Sequence, residues 1–313
     1  MTAAIVTLCP GQGAQTVGMA RRWCESAPEA RAVFDAADRL LGERLGARLS
    51  TLCWDGPAER LNQTDVGQPA LYVAGVASWR AWLASRGLAP NDQPLAAAAG
   101  LSLGEYTALH LAGAFEFEAG LELVTLRGRA MQDAATAVHS GMVALIGADE
   151  PKAREVCEEA RGADVLVCAN FNAPGQIVLS GSSAACARAL AVAQARGLRA
   201  TPLAVAGAFH SPIMRPAADA LAAALERTEV RAPSTAVLSN VTGTPHDGRD
   251  AASIRRLLVE QLTSAVRWAE CGAWLAANHP AAPWHEVAPG RTLAGLMRRI
   301  DKNIKVESHD EPA

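Results

Sequence analysis

Residues 95–113 read LAAAAGLSLGEYTALHLAG, and their centre, Gly100-Leu101-Ser102-Leu103-Gly104, matches G-x-S-x-G. In that motif a strand turns sharply into a helix and lifts a serine hydroxyl above the edge of a sheet. The two glycines allow the backbones to come close at the bend. Alanine favours helix, so the strand assignment of 95–99 rests on the elbow that follows it. The stretch predicts an α/β fold with Ser102 as nucleophile; the alternative is a capping serine at an ordinary helix start.

On both sides of this elbow, short apolar runs alternate with amphipathic segments. Such alternation is typical of an α/β domain with strands buried beneath helices. The apolar runs at 3–9, 94–99, 235–238 and 284–288 predict strands, and helical periodicity covers 17–41, 68–86, 102–112, 117–133, 211–227, 252–263 and 291–300.

The stretch from 138 to 207 has a different order of elements. GMVALIGA, DVLVCANF, QIVLSG and RATPLAV read as four strands, with helix-like segments at 150–161 and 182–197. The resulting β-α-β-β-α-β order is that of the ferredoxin-like unit. We therefore expect an α/β-hydrolase-like large subdomain (1–137 and 208–313) with an inserted ferredoxin-like small subdomain (138–207) and a substrate cleft between them.

Composition narrows the function classes. The chain has 313 residues, half of them apolar and 19% charged, as in ordinary globular proteins. Its 29 Lys and Arg against 32 Asp and Glu exclude the broad basic field of a nucleic-acid binder. Seven scattered cysteines without a C-x-x-C pair argue against a disulfide framework and a zinc knuckle. We expect a cytoplasmic protein with no membrane span, no metal and no nucleic-acid partner.

A serine nucleophile needs a base, and histidine has the suitable pKa near neutrality. His210 follows the small residues Ala206-Gly207-Ala208 at the predicted junction of the subdomains, so it is the candidate base; the alternative is a structural histidine at a hinge. The other histidines are expected to be structural or solvated: His110 in the helix after the elbow, His139 and His246 in loops, His279 before a proline, His285 beside a tryptophan, and His309 in a polar tail.

The glycine-rich loop after the first strand reads PGQGAQ at 10–15. It is not a dinucleotide fingerprint, because position 16 is Thr instead of the third glycine and no acidic residue ends a second strand about twenty positions on. A tight loop of this kind can aim main-chain N–H groups at a developing oxyanion. The alternative is a simple strand-to-helix turn.

Seven motifs occur in an order that resembles the malonyl-CoA:acyl carrier protein transacylase family, and the resemblance spans nearly the whole chain. They are PGQGAQ, GLSLGEYTAL, LRGRAMQ with its first arginine 25 positions beyond Ser102, NFNAPGQIVLSG, GAFHS, EQL and EVAPGRTLAGLMRRI.

The resemblance implies a role for each matching position. Ser102 is the nucleophile and His210 the base, oriented by a main-chain carbonyl near Gln261 instead of a third acid. The N–H groups of Gln12 and Leu103 form the oxyanion hole.

Arg127 matches the arginine that clamps the free malonyl carboxylate as a bidentate pair. Arg129 is its competitor, because residues two apart on a helix face different ways. Leu101 departs from the family pattern, where histidine is common and a hydrogen bond is possible. The remaining matches to pocket positions are Gln68, Met131, Asn170 and Gln261.

The implied reaction is ping-pong transfer of malonyl from malonyl-CoA, through a malonyl-serine ester, to the phosphopantetheine thiol of an acyl carrier protein. Coenzyme A enters as a substrate thioester, and no bound cofactor is needed. In related acyltransferases an aromatic residue before the base accompanies malonyl, so Phe209 predicts malonyl over methylmalonyl. The enzyme is expected to be a monomer in fatty-acid synthesis; a free-standing polyketide acyltransferase, an acyl hydrolase and a silent docking subunit are the alternatives.

Carrier proteins are acidic, so docking requires a local basic surface on this slightly acidic chain. A basic cluster near the carboxyl end is the candidate; the alternative is a solvated helix face. Its members are Arg291, Arg298, Arg299, Lys302 and Lys305.

Overall fold

The computed structural model describes residues 3–89 and 92–312. Residues 1–2, 90–91 and 313, which the expected large subdomain includes, lie outside the described residues. Within these ranges the strands form two separate sheets. The strands are β1 (Ile5–Cys9), β2 (Leu95–Gly100), β3 (Ser140–Ile146), β4 (Leu166–Ala173), β5 (Gln176–Ser182), β6 (Arg199–Pro202), β7 (Ala236–Val237), β8 (Trp284–Val287) and β9 (Val306–His309).

Helices cover the sheets and supply most of the large core. None of those in the described ranges combines the length and hydropathy that a bilayer crossing requires. A 3₁₀ turn spans Pro212–Met214. The helices are α1 (Arg21–Ser26), α2 (Pro28–Leu41), α3 (Leu49–Asp55), α4 (Ala58–Leu61), α5 (Thr64–Ser85), α6 (Gly104–Leu111), α7 (Phe117–Ala137), α8 (Glu150–Arg161), α9 (Ser183–Ala195), α10 (Arg215–Arg227), α11 (Ala251–Glu260), α12 (Trp268–Asn278) and α13 (Thr292–Ile300).

The larger sheet is parallel, with the strand order β7-β2-β1-β8-β9. Parallel strands end at the same edge, and Cys9 pairs with Gly100, so the loop after β1 and the elbow after β2 lie side by side. The alanine-rich β2 is extended despite its helical propensity because it is hydrogen-bonded on both edges, to β1 and to β7. The predicted α/β class is confirmed.

The smaller sheet is antiparallel, with the order β4-β5-β3-β6. One face carries α8 and α9, and a separate apolar cluster fills the space between the helices and the sheet. This is the ferredoxin-like arrangement expected from the order of elements. The exact chain boundaries of the two subdomains stay a prediction.

Several elements differ from the sequence expectations. The helix expected over 17–41 is broken at Ala27, which is extended because Pro28 begins α2 and disfavours helical backbone before it. Helices α3, α4 and α12 have no predicted counterpart. The polar tail expected around His309 is wrong, because β9 pairs in parallel with β8 and His309 is buried.

Candidate active site

Ser102 lies in a strained turn between β2 and α6. Its φ is 52°, a left-handed conformation that is uncommon for residues with a side chain. The turn depends on its flanking glycines: a Cβ on Gly100 would lie 1.8 Å from the carbonyl carbon of Gly104, and one on Gly104 would lie 2.0 Å from the oxygen of Cys9. Close backbone contact therefore holds the serine above the end of the sheet, as the elbow motif predicts.

His210 faces this serine from the other side of the cleft. Its Nε2 lies 2.8 Å from Ser102 Oγ, and its Nδ1 lies 2.8 Å from the main-chain oxygen of Gln261. A carbonyl oxygen only accepts, so Nδ1 carries the proton and Nε2 offers its lone pair to the serine hydroxyl. Burial, and then the positive charge of Arg127, lower the pKa of His210 to about 4. The imidazole is therefore a free base at neutral pH.

Arg127 projects from α7 into the same site and is almost fully buried. Its Nη1 donates to Gln68 Oε1 at 2.6 Å, while its Nη2 donates to Gln261 Oε1 at 2.8 Å and to Ser102 Oγ at 3.1 Å. Its guanidinium carbon lies 5.4 Å from the ring centre of Tyr106. Two amide oxygens and a ring therefore hold a cation beside the Ser102 hydroxyl, and no carboxylate is bonded directly to it among the described residues.

Arg129, the competing arginine, lies on the outer face of α7. Its side chain is 69% exposed and is paired with Asp133 one turn along the helix. It therefore points away from the cleft, and Arg127 is the arginine next to Ser102.

The loop after β1 packs directly against the elbow, since a Cβ on Gly11 would lie 2.2 Å from the Leu101 oxygen. The next residue, Gln12, and Leu103 both line the cleft, and no main-chain acceptor in the described part of the chain takes either N–H. These N–H groups are available to an oxyanion on a substrate carbonyl at Ser102. The Leu101 side chain also lines the cleft, where it supplies apolar surface instead of a hydrogen bond.

The cleft has a volume of about 450 Å³ and is lined by both subdomains. Asn170 and Asn172 of β4 and Met142 of β3 form the small-subdomain wall. Gln68 and Gln261, expected as pocket residues, lie behind the wall and hold Arg127 in place. The other predicted site residues line the cleft: Gln12, Ser102, Leu103, Arg127, Met131, Asn170, Phe209 and His210.

Sequence reasoning missed two polar residues beneath the elbow. Asn240 accepts a hydrogen bond from Ser102 N at 2.6 Å and donates to Gly100 O at 2.8 Å, which fixes the elbow backbone. Glu105, in the first turn of α6, is fully buried. Asn240 follows a short strand at the sheet edge where sites of α/β folds form, and that position was the signal available in the sequence.

Four of the six other histidines are hydrogen-bonded within the fold. His110 hydrogen-bonds the Phe115 oxygen, and His246 pairs with Glu105 in the interior. His285 and His309 are hydrogen-bonded to each other at 2.9 Å, and ligand atoms from these two and Glu307 lie within 4.8 Å of one another. One histidine nitrogen therefore carries the shared proton, which a metal ion would have to displace.

Comparisons with known proteins agree with this geometry. A family model described as an acyl transferase domain matches residues 6–305. The malonyl CoA-acyl carrier protein transacylase of Salmonella typhimurium is 40% identical over 305 residues, covering 97% of this chain and 95% of the relative. The crystal structure of the malonyl-CoA:acyl carrier protein transacylase of Xanthomonas oryzae pv. oryzae superposes with a TM-score of 0.91 at 43% identity, covering 100% of this chain and 96% of the other.

A second similar structure is a complex of a type II polyketide synthase acyl carrier protein with its malonyl-transacylase. It has a TM-score of 0.90 and 35% identity, and covers 99% of this chain and 97% of the other. The full-length matches extend over the elbow, the histidine and the buried arginine alike. The chain therefore belongs to the malonyl CoA-acyl carrier protein transacylase family.

Proposed function

We propose that this protein transfers a malonyl group from malonyl-CoA to the phosphopantetheine thiol of an acyl carrier protein, in fatty-acid synthesis. The observation that carries the proposal is the buried guanidinium of Arg127, 3.1 Å from the Ser102 hydroxyl. A buried cation whose direct hydrogen-bond partners are all neutral favours an anionic ligand. The acyl group attached to this serine is therefore one that carries a carboxylate.

In the first half-reaction, Ser102 Oγ attacks the thioester carbonyl of malonyl-CoA while His210 Nε2 takes the hydroxyl proton. The N–H groups of Gln12 and Leu103 stabilise the oxygen that gains negative charge. The carbon–sulfur bond then breaks, and the departing coenzyme A sulfur takes the proton from His210. The product is a malonyl ester on Ser102.

In the second half-reaction, the phosphopantetheine thiol gives its proton to His210 and attacks the same ester carbonyl. The ester bond to Ser102 breaks, and His210 returns the proton to Oγ. Water must be disfavoured during the lifetime of the ester. Apolar side chains such as Met131, Met142 and Phe209 line the cleft and reduce the space for water.

The malonyl carboxylate replaces the serine oxygen as a partner of Arg127. Arginine offers two parallel N–H groups, which match the two oxygens of a carboxylate. Gln68 and Gln261 hold the guanidinium plane from behind at 2.6 and 2.8 Å, so the bidentate geometry is set before substrate binds.

The partner assignment is supported by the polar wall of the cleft and by the relatives. Asn170 and Asn172 occupy alternate positions of β4 and line the cleft wall, where they supply amide groups to the two amides of a pantetheine arm. The same arm is present in coenzyme A and in a carrier protein, so one channel serves both half-reactions.

Mass spectrometry after incubation with malonyl-CoA tests this function. We expect a malonyl adduct on Ser102 that disappears when a carrier protein bearing phosphopantetheine is added. Arg127→Ala should lower malonyl loading on the order of a hundredfold, because a charge-assisted contact in a buried site is lost, while sparing acetyl loading. An adduct on another residue, or none, would contradict the proposal.

A polyketide carrier is the second candidate partner, and the similar transacylase solved with such a carrier protein is the observation that favours it. Parallel transfer assays with a fatty-acid and a polyketide carrier protein distinguish the two pathways. An acyl hydrolase would instead release free malonate from the serine ester when no carrier is present.

A further inference from the structure

Glu105 places a carboxylate beneath the elbow, in contact with three hydrogen-bond donors. Oε2 accepts from the main-chain N of Asn240 at 3.0 Å and from Gln261 Nε2 at 2.7 Å. Oε1 accepts from His246 Nε2 at 2.7 Å, and both side chains of this pair are fully buried. The reaction described above does not use this carboxylate. Burying a carboxylate costs free energy unless hydrogen bonds or an opposite charge compensate for the lost water.

The contact with Gln261 sets the orientation of an amide. Gln261 Nε2 lies between two acceptors, Glu105 Oε2 at 2.7 Å and the main-chain oxygen of Ser102 at 3.0 Å, so the NH₂ group must face them. The opposite end of the amide, Oε1, then faces Arg127. A carboxylate at position 105 can only accept hydrogen bonds, and it therefore excludes the flipped amide.

Through its contact with Asn240, Glu105 also positions the backbone around Ser102. Glu105 holds the main-chain N of Asn240, whose side chain bonds the backbone on both sides of the elbow, at Ser102 N and Gly100 O. One carboxylate thus joins three segments: the start of α6, the loop after β7 and the end of α11.

We propose that Glu105, paired with His246, is a positioning residue that orients the Gln261 amide toward Arg127 and thereby sets the preference for an acyl group bearing a carboxylate. This inference rests on the proposed function, since it acts through the Arg127 clamp. A glutamine at position 105 has one oxygen and one NH₂ group, so at least one of the three donors would face another donor instead of an acceptor. Rotation of the Gln261 amide relieves that conflict and turns an NH₂ group toward Arg127, which weakens the clamp.

The test compares Glu105→Gln, Arg127→Ala and the double variant in the full chain. Rates of Ser102 acylation by malonyl-CoA and by acetyl-CoA are measured by rapid quench and mass spectrometry. We expect Glu105→Gln to lower the malonyl-to-acetyl ratio about tenfold, the effect of losing one charge-assisted hydrogen bond. In the Arg127→Ala background the same substitution should leave the ratio unchanged, because residues that act through one contact are not additive.

Glu286→Gln is the matched control, since Glu286 is equally buried but accepts hydrogen bonds from the start of α13 instead of from Gln261 and Asn240. It should leave the ratio at the wild-type value even if it lowers stability. A wild-type ratio in Glu105→Gln, or an additive loss in the double variant, overturns the inference. The proposed function still holds in either case if Arg127→Ala lowers the malonyl-to-acetyl ratio. An unchanged ratio in Arg127→Ala overturns both.

If Glu105→Gln does not fold, Glu105→Asp carries the test. The shorter side chain withdraws the carboxylate from at least one of its three donors, so the ratio should fall between those of the wild type and Arg127→Ala. A wild-type ratio in folded Glu105→Asp overturns the inference.

Discussion

At the scale of single residues, the imidazole of His210 is buried beside a guanidinium, and both surroundings disfavour its charged form. Burial is the larger cause and Arg127 the second, while the hydrogen bond to the Gln261 oxygen acts in the opposite direction. The imidazole therefore stays unprotonated well below neutral pH. Its activity should be lost only as the pH falls through the pKa of about 4.

We predict from this that kcat/KM for acetyl transfer stays level from pH 8 to about pH 5 and falls below it, because the free enzyme loses its base. Acetyl-CoA is used since it has no carboxyl group that titrates. Arg127→Ala removes a positive charge that lowers the pKa of His210, so its acid limb should move to higher pH. Enzyme returned from low pH to pH 7 must regain activity, and an unmoved limb in Arg127→Ala would refute the electrostatic explanation.

Phe209 belongs to the same scale. Its ring lines the cleft directly before the base and is 6% exposed. We predict that Phe209→Ala raises the rate of methylmalonyl relative to malonyl loading on the order of tenfold, because one methyl group in an apolar pocket discriminates by about that factor.

Competition between the two CoA thioesters measures this ratio. Phe171→Ala is the control, because Phe171 has the same exposure but belongs to the small-subdomain core. A ratio that shifts equally in both variants would show a general loosening of the fold instead of a pocket effect.

The sequence predicted the residues with a recognisable chemical pattern at this scale. Ser102 could be found from its glycines and His210 from its place at a junction, while the role of Arg127 came from the family resemblance and its spacing set it apart from Arg129. Asn240 and Glu105 could not be assigned roles, because their importance lies in contacts with Ser102, Gln261 and His246 across up to 156 positions of sequence.

At the scale of elements, α13 begins over a buried carboxylate. Glu286 of β8 accepts hydrogen bonds from the main-chain N of Leu293 and of Ala294, each at 2.8 Å, and so satisfies two free N–H groups of the helix start. Burial nevertheless raises the pKa of Glu286 to about 7. The native state therefore binds a proton that the unfolded chain releases at lower pH.

This shift predicts a pH-dependent stability. The folded pKa lies above the unfolded value, so the stability contributed by protonated Glu286 is fully present below about pH 4.5 and is lost as the pH rises through about 7. The free energy of unfolding of the wild type, minus that of Glu286→Gln, should therefore fall from pH 5 to pH 8, because only the wild type loses this contribution. Urea unfolding measures it, and Glu59→Gln on an exposed helix should show no such trend.

Element prediction from the sequence succeeded where apolar residues form a continuous run or recur at helical spacing. Strand β1 and helices α5 and α7 follow clear apolar patterns. Helix α12 was missed because apolar residues such as Trp274 and Ala277 also occupy its outer face, so its single buried stripe does not stand out in the sequence. Strand β9 was missed because its four residues, VESH, are mostly polar and form a strand only by pairing with β8. Tertiary contacts, which the sequence pattern does not contain, decide both.

At the scale of the whole molecule, direct hydrogen bonds join the large subdomain to the small subdomain and so fix the position of the two cleft walls. Phe171 N donates to the Val266 oxygen at 2.9 Å, and Val266 N donates to the Ala169 oxygen at 2.8 Å. Ser180 Oγ donates to the oxygen of Phe209 at 2.6 Å. The sequence predicted that a cleft exists, but these pairings could not be derived from local patterns.

The expected docking cluster divides in the structure. Arg299 donates to the Pro174 oxygen at 3.0 Å and to Gln176 Oε1 at 2.8 Å, so its guanidinium links α13 to the turn after β4. Arg298 and Lys302 are exposed, and together with Arg299 they border a surface depression next to Pro174. Because β4 leads from the cleft wall at Asn170 and Asn172 to this turn, the depression lies beside one end of that wall.

We predict that Arg298→Glu/Lys302→Glu raises KM for the carrier protein about tenfold, since an acidic partner loses two attractive charges, and leaves malonyl loading from malonyl-CoA unchanged. The effect should shrink at high ionic strength, where exposed charges are screened. Lys152→Glu/Arg161→Glu on α8 makes the same change in net charge elsewhere and should leave this KM near the wild-type value. Arg299→Ala should instead slow both half-reactions, because it loosens a link between the subdomains that form the cleft. Equal increases in KM from both charge reversals would show that net charge governs docking, and the Arg298 surface would then have no special role.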